Sequence, residues 1–219
     1  SKPQNKHLWA TLDGKDTALA RLSLQVAQRL GPHILHKVAL CDGCDALQTR
    51  IALRFPDFVI LLDFVHASEY LWDVANCLLG ETHPNREKWM AQQTLRLLSG
   101  QTQQVIADFR RLAQKPKIEV ALRKQLIKTA DYFERNLPFM DYSTALANGW
   151  PIASGVIEGA CRHLVKDRME LSGMRWTMAG AGALLALRSV NENGDWDDFH
   201  AFRRLQRHKR LYGAPSVSY

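Results

Sequence analysis

Phe58-Val-Ile-Leu-Leu-Asp-Phe-Val65 is the stretch that decides the fold. Its β-branched, aliphatic and aromatic residues run on without polar alternation, the pattern of a strand covered on both faces. A single carboxylate, Asp63, interrupts it, and a lone carboxylate there is costly unless paired, hydrogen-bonded or metal-bound. Upstream, Val38-Ala-Leu-Cys41 forms a second apolar run that ends at Asp42-Gly43. That run predicts a buried strand delivering a carboxylate at its tip, beside a glycine that permits close approach of another backbone or a ligand. Between the two, Ala46–Phe55 has helical spacing through Leu47, Ile51 and Leu53 until Pro56 stops it. Further back, Trp9 and Thr11 favour a short strand over 7–12, closed by the turn Asp13-Gly14. A helix capped at Asp16 or Thr17 follows, with Leu19, Leu22, Val26 and Leu30 on helical spacing before Gly31-Pro32. Strand, helix, strand, helix, strand is the grammar of an α/β layer.

After His66 the pattern changes to amphipathic helices. They are expected from Ser68 or Glu69 to Leu79, over Arg86–Leu98, over Thr102–Ala113 and over Ile118–Asn136, separated by Gly80, Gly100 and Pro116. Asn148-Gly-Trp-Pro151 marks a loop. A helix near Ser154 to Asp167, a break at Gly173, a small-residue helix capped by Thr177, and a terminal helix from Asp195 or Asp197 complete the chain. The expected organisation is 1–67 α/β, 68–146 all-helical, and 147–219 a further set of helices.

The chain has 219 residues, 46% of them hydrophobic and 23% charged, values of a globular protein with a core. Disorder, collagen-like repeats and a coiled-coil rod do not fit. Its longest weakly polar stretches fall short of the ~20 residues a membrane span needs, and with no basic-then-apolar pattern in its first residues no signal peptide is expected. Four cysteines are too few for a disulfide framework, so a cytoplasmic protein with no membrane partner is expected. With 29 basic and 22 acidic residues the formal charge is +7. Five of the positive charges, Arg203, Arg204, Arg207, Lys209 and Arg210, lie in the acid-free stretch 201–212, open to two readings: a solvated helix end or a phosphate-contacting segment.

Three acids stand out: Asp42 at a strand tip, Asp63 within a strand, and Glu158 near a helix start, flanked by Gly155 and Gly159. Strand-end and helix-start carboxylates can converge on a hard divalent cation. Taken alone they also read as a turn residue and a helix-dipole partner. Asp63-Phe-Val-His66 suggests a buried Asp orienting a His, or a purely structural pair. Cys41 and Cys44 form a lone Cys-x-x-Cys without a second pair, weak ground for zinc or thiol chemistry. No phosphate-binding glycine loop or nucleophile elbow is present.

Taken as a series, several blocks resemble the Kra-type bacterial insertion-sequence transposases, relatives of the Mutator-like DDE transposases. They are Trp9-Ala-Thr-Leu12, Cys41-Asp-Gly43, Phe55-Pro56, Ile60-Leu-Leu-Asp-Phe-Val-His66, Glu69-Tyr-Leu-Trp72, Tyr132-Phe133, Pro151-Ile-Ala-Ser-Gly-Val-Ile-Glu158, Leu164-Val-Lys-Asp-Arg168, Ser172-Gly-Met-Arg-Trp176 and Asn193-Gly-Asp-Trp196. In order they span most of 7–203. The resemblance implies an incomplete ribonuclease-H-like core with an all-α insertion at 68–146 and C-terminal helices. It implies Asp42 and Glu158 as the second and third acids of a DDE set and as ligands of Mg²⁺ or Mn²⁺, with Asp63 and His66 as an Asp-x-x-His element. Lys166, Arg168, Arg175 and Trp176, followed by Arg203, Arg204 and Arg207, would bind DNA, both transposon ends and target, in a homo-oligomer. Metal-dependent cleavage at a transposon end and strand transfer into target DNA would be the activity.

In this family the first acid lies on a strand upstream of the Trp9 block, so the chain is expected to be the C-terminal part of a transposase, inactive alone. Without the central strand, exposed sheet edges or repacking around them are expected. Two other readings stand beside it: a non-catalytic DNA-binding or dimerisation remnant, and a stand-alone ribonuclease-H-like nuclease such as a junction resolvase.

Overall fold

The computed structural model describes residues 4–155, 159, 161–170 and 173–213. It is predominantly helical, with one small parallel sheet. Two compact units partition the chain: Leu19–Gly155, and Ser1–Ala18 together with Val156–Tyr219. These divide it differently from segments 1–67, 68–146 and 147–219.

The first unit takes up helix α1 (Lys15–Arg29) from Leu19 onward, then strand β1 (Val38–Cys41), helix α2 (Asp45–Arg54) and strand β2 (Val59–Leu62). The strands pair in parallel, Val38 opposite Val59 through Cys41 opposite Leu62. Parallel neighbours need a crossover, and α2 supplies it. Leu19, Cys41, Ile51 and Phe55 bury together on this layer. Each strand has only the other as a partner among the described residues, so both outer edges lack strand neighbours, and Val59 is exposed.

A strand-free helical block follows: α3 (Phe64–Leu79), α4 (Arg86–Leu98), α5 (Thr102–Ala113), α6 (Val120–Asn136), a 3₁₀ turn (Leu137–Phe139) and α7 (Tyr142–Ala147). Its core joins Leu71, Val74, Leu97, Val105, Leu126, Phe133 and Tyr142. Apolar residues at three- and four-residue spacing give each helix one buried stripe.

In the second unit a π-helical turn (Arg162–Lys166) runs into α8 (Asp167–Met169). Helix α9 (Met178–Asn193) starts where the Thr177 side chain accepts the Gly180 N–H at 3.1 Å, and it ends at Gly194 in the left-handed conformation. Helix α10 (Trp196–Tyr212) follows.

Two expectations are corrected. Residues 7–12 are irregular rather than a strand. The Asn193 side chain takes the place of a strand neighbour: Leu8 donates its N–H to Asn193 Oδ1 at 2.8 Å, and Asn193 Nδ2 donates to the Leu8 carbonyl at 2.9 Å. The apolar run from Phe58 is also not one strand. It breaks after Leu62, and Asp63 caps α3 by accepting the Val65 N–H at 2.9 Å. The helix therefore begins four residues before Ser68. A buried strand end and a buried first helical turn have the same apolar composition, so periodicity cannot separate them.

Candidate functional site

β1 carries the chain to Asp42, and α2 begins three residues later. Asp42 is exposed, and its Oδ1 accepts the Cys44 N–H at 3.2 Å, an Asx turn that leads the backbone into α2. Such a position, just beyond the carboxyl end of a parallel strand, is where α/β layers collect ligands.

The C-terminal turns of α6 grip this tip. The Tyr132 ring lies so near Gly43 that a Cβ there would be 2.3 Å from its Oη. Tyr132 is itself fixed by Tyr70, stacked at 3.8 Å and 8° between ring planes. Arg135 lies over the Tyr132 ring, its Cζ 5.5 Å from the centroid, and Lys128 Nζ is 5.3 Å from the Tyr70 centroid. Arg135 Nη2 donates to the Gly43 carbonyl at 3.4 Å, and its Nε lies 3.0 Å from Asp45 Oδ1. Gln48 Nε2 donates to Asn136 Oδ1 at 2.7 Å and reaches the Asp42 carbonyl at 3.4 Å. Asn136 is fully buried and donates to the Tyr132 carbonyl at 2.9 Å. Burial, helped by neighbouring Tyr70, pushes the Tyr132 phenol well above its ordinary range, so it stays protonated.

Asp63 sits at the same end of the sheet, one step beyond the Cys41–Leu62 pair, but it is 2% exposed. One carboxylate oxygen takes the Val65 N–H; the other takes the Ser154 N–H at 3.0 Å and the Ser154 hydroxyl. The burial cost foreseen for this acid is met by hydrogen bonds that tie the start of α3 to residue 154. His66 turns to Glu69, with Nδ1 3.2 Å from Oε2, so Asp63 and His66 are each engaged with a different partner. All four cysteines are thiols; burial first, and the Asp42 charge second, push that of Cys41 up to about 11.

Glu158 lies outside the described residues, as do its neighbours 156 and 157. Among the described residues no group of three or more His, Cys, Asp and Glu side chains assembles as a metal site. Asp42 has the chemistry of a hard-cation ligand, but the described residues bring it no companion set.

Lys166, Arg168, Arg175 and Trp176 are all exposed on the second unit, as are Arg203, Arg204 and Arg207. Arg188 anchors the turn that carries Lys166, donating from Nε to the Leu164 carbonyl at 2.9 Å and from Nη2 to the His163 carbonyl. No family model, curated protein or solved structure matches the chain. Sequence reasoning overlooked Gln48, Arg135 and Asn136, and it met Tyr132 only within a block of letters. The signal was there in part: Asn136 continues the buried stripe of Phe133 and Tyr132, where a polar residue needs a partner.

Proposed function

We propose that this chain is the C-terminal part of a DDE transposase that performs metal-dependent DNA strand cleavage and transfer for an insertion sequence. In this proposal Asp42 and Glu158 are carboxylate ligands of Mg²⁺ or Mn²⁺. Lys166, Arg168, Arg175, Trp176, Arg203, Arg204 and Arg207 grip DNA, and the protein acts as an oligomer on it. The observation that carries the proposal is Asp42, an exposed carboxylate at the carboxyl end of a parallel strand, held by a separate helical block through Gly43. Support also comes from the ordered series of sequence blocks, and from the strand-free run of helices after β2, which has the place of an all-α insertion. The ribonuclease-H-like character of the core belongs to the proposal.

Within it, the chain's own residues have definite tasks. Tyr132 and Arg135 fix the turn that aims Asp42. Asp63, fully hydrogen-bonded, joins the start of α3 to Ser154. Guanidinium groups contact phosphates, and the exposed Trp176 indole offers a stacking face to an unpaired base.

The test is nicking of supercoiled DNA with Mn²⁺ by the gene product carrying this chain, together with whatever its gene encodes before Ser1. Loss of nicking in both Asp42→Ala and Glu158→Ala, with DNA affinity retained, is the expected result. DNA binding without nicking in any form would replace the proposal with the non-catalytic remnant.

A further inference from the structure

Helix α10 has 17 residues, and none of them is buried. At ~1.5 Å per residue it spans about 25 Å. Isolated helices of this order are marginal in water, because helices in proteins owe most of their stability to packing of one face. Its sequence has such a face. Asp198, Phe202, Leu205, Lys209 and Tyr212, with Ala201, repeat at the three- and four-residue spacing of a heptad seam. Phe202 is 58% exposed, Leu205 45% and Tyr212 75%. Arg203, Arg207 and Arg210 lie on the opposite side of the helix.

Charge along the helix is asymmetric, and Asp198 and Lys209 carry that asymmetry onto the seam. Acids fill the first turn, Asp197 and Asp198, and bases the last, Lys209 and Arg210. Two copies of α10 laid antiparallel, with their midpoints aligned, put Phe202 of each against Leu205 of the other. The same register puts Asp198 of each against Lys209 of the other, twice by symmetry. A two-fold interface must be self-complementary in this way, and antiparallel helix dipoles also attract. A parallel pair would instead set acid against acid and base against base.

We propose that a second copy of this chain docks on the Asp198–Phe202–Leu205–Lys209–Tyr212 face of α10 in antiparallel register, leaving Arg203, Arg207 and Arg210 outward on both helices. The proposal rests on α10 alone and not on the transposase assignment. The seam is short, below the ~1,200 Å² of a standard stable interface, so the dimer forms at micromolar concentrations and above.

Sedimentation velocity of the full chain without DNA, at rising micromolar concentration, is the experiment. Wild type moves from monomer to dimer, and Leu205→Glu stays monomeric. Asp198→Lys alone and Lys209→Asp alone each weaken association about tenfold, because either change turns two attractive pairs into two repulsive ones. An equimolar mixture of these two variants recovers the dimer, since both cross-pairs are again opposite in sign. All these side chains are exposed, and circular dichroism checks that each variant keeps its helix content. A chain that is monomeric throughout, a dimer indifferent to Leu205→Glu, or single variants not rescued by mixing would overturn the proposal. So would monomeric binding of this face to phosphatidylserine vesicles with no self-association.

Discussion

Gly43→Ala probes the contact between the Asp42 turn and helix α6. The added Cβ would stand 2.3 Å from Tyr132 Oη, 2.5 Å from Cε2 and 2.6 Å from Cζ, all inside van der Waals contact. Tyr132 has little room to retreat, being 7% exposed and stacked on Tyr70 at 3.8 Å. The backbone of the turn must move instead, and with it Asp42. Overpacking of this kind costs about 1–3 kcal/mol, and the rigidity of the stacked pair puts this site in the upper half. For a chain of this size that lowers Tm by about 5–10 °C. Tyr132→Ala alone leaves a cavity costing about 3–5 kcal/mol. In the Gly43→Ala background the same truncation costs less by about 1–3 kcal/mol, because the clash has gone. Urea unfolding of the four proteins, followed by far-ultraviolet circular dichroism, measures this coupling. A neutral Gly43→Ala, or additive effects within about 0.5 kcal/mol, would refute the grip of α6 on this turn.

Asn136→Leu strips buried Gln48 of its 2.7 Å partner and is expected to cost about 1–3 kcal/mol in chemical denaturation, with part recovered in the Gln48→Leu/Asn136→Leu double variant. Asp141 caps α7; the Thr144 hydroxyl first, then the Thr144 amide, hold its carboxyl below the usual ~3.9. A lowered folded pKa gives stability that is complete above ~3.9 and lost as pH falls through the folded value, so Tm measured from pH 5 downward should fall less steeply in Asp141→Asn than in wild type. Native alkylation at pH 8 read by mass spectrometry should modify exposed Cys77 and Cys161 and spare Cys41, whose thiol is buried and pushed up to about 11; equal labelling of Cys41 would contradict that placement.

Legibility in the sequence followed the range of each signal. β1 ends at Cys41 because an apolar run meets Asp42-Gly43, α3 ends at Gly80, and α4 and α5 end just before Gly100 and Pro116. Those are local signals. The start of α3 was not legible, since Phe64 and Val65 satisfy a buried strand and a buried helical turn alike; the capping bond from Val65 to Asp63 is local, but the partner that lets this carboxylate be buried there, Ser154, lies 91 residues away. The strand expected at 7–12 failed for a related reason: its partner is an amide side chain far along the chain, at Asn193. At the candidate site, Asp42 was legible from strand-tip position alone. The Tyr132–Gly43 contact was not, because nothing near Gly43 announces an aromatic ring from another helix.

The proposed function turns on Asp42 and Glu158 ligating one divalent ion, and Mn²⁺ titration followed by electron paramagnetic resonance tests that most directly. The full chain is expected to show a saturable Mn²⁺ site in the millimolar range, lost in Asp42→Ala and equally in Glu158→Ala, with circular dichroism unchanged. Equal Mn²⁺ uptake by wild type and both variants, or no saturable site in wild type, would contradict it.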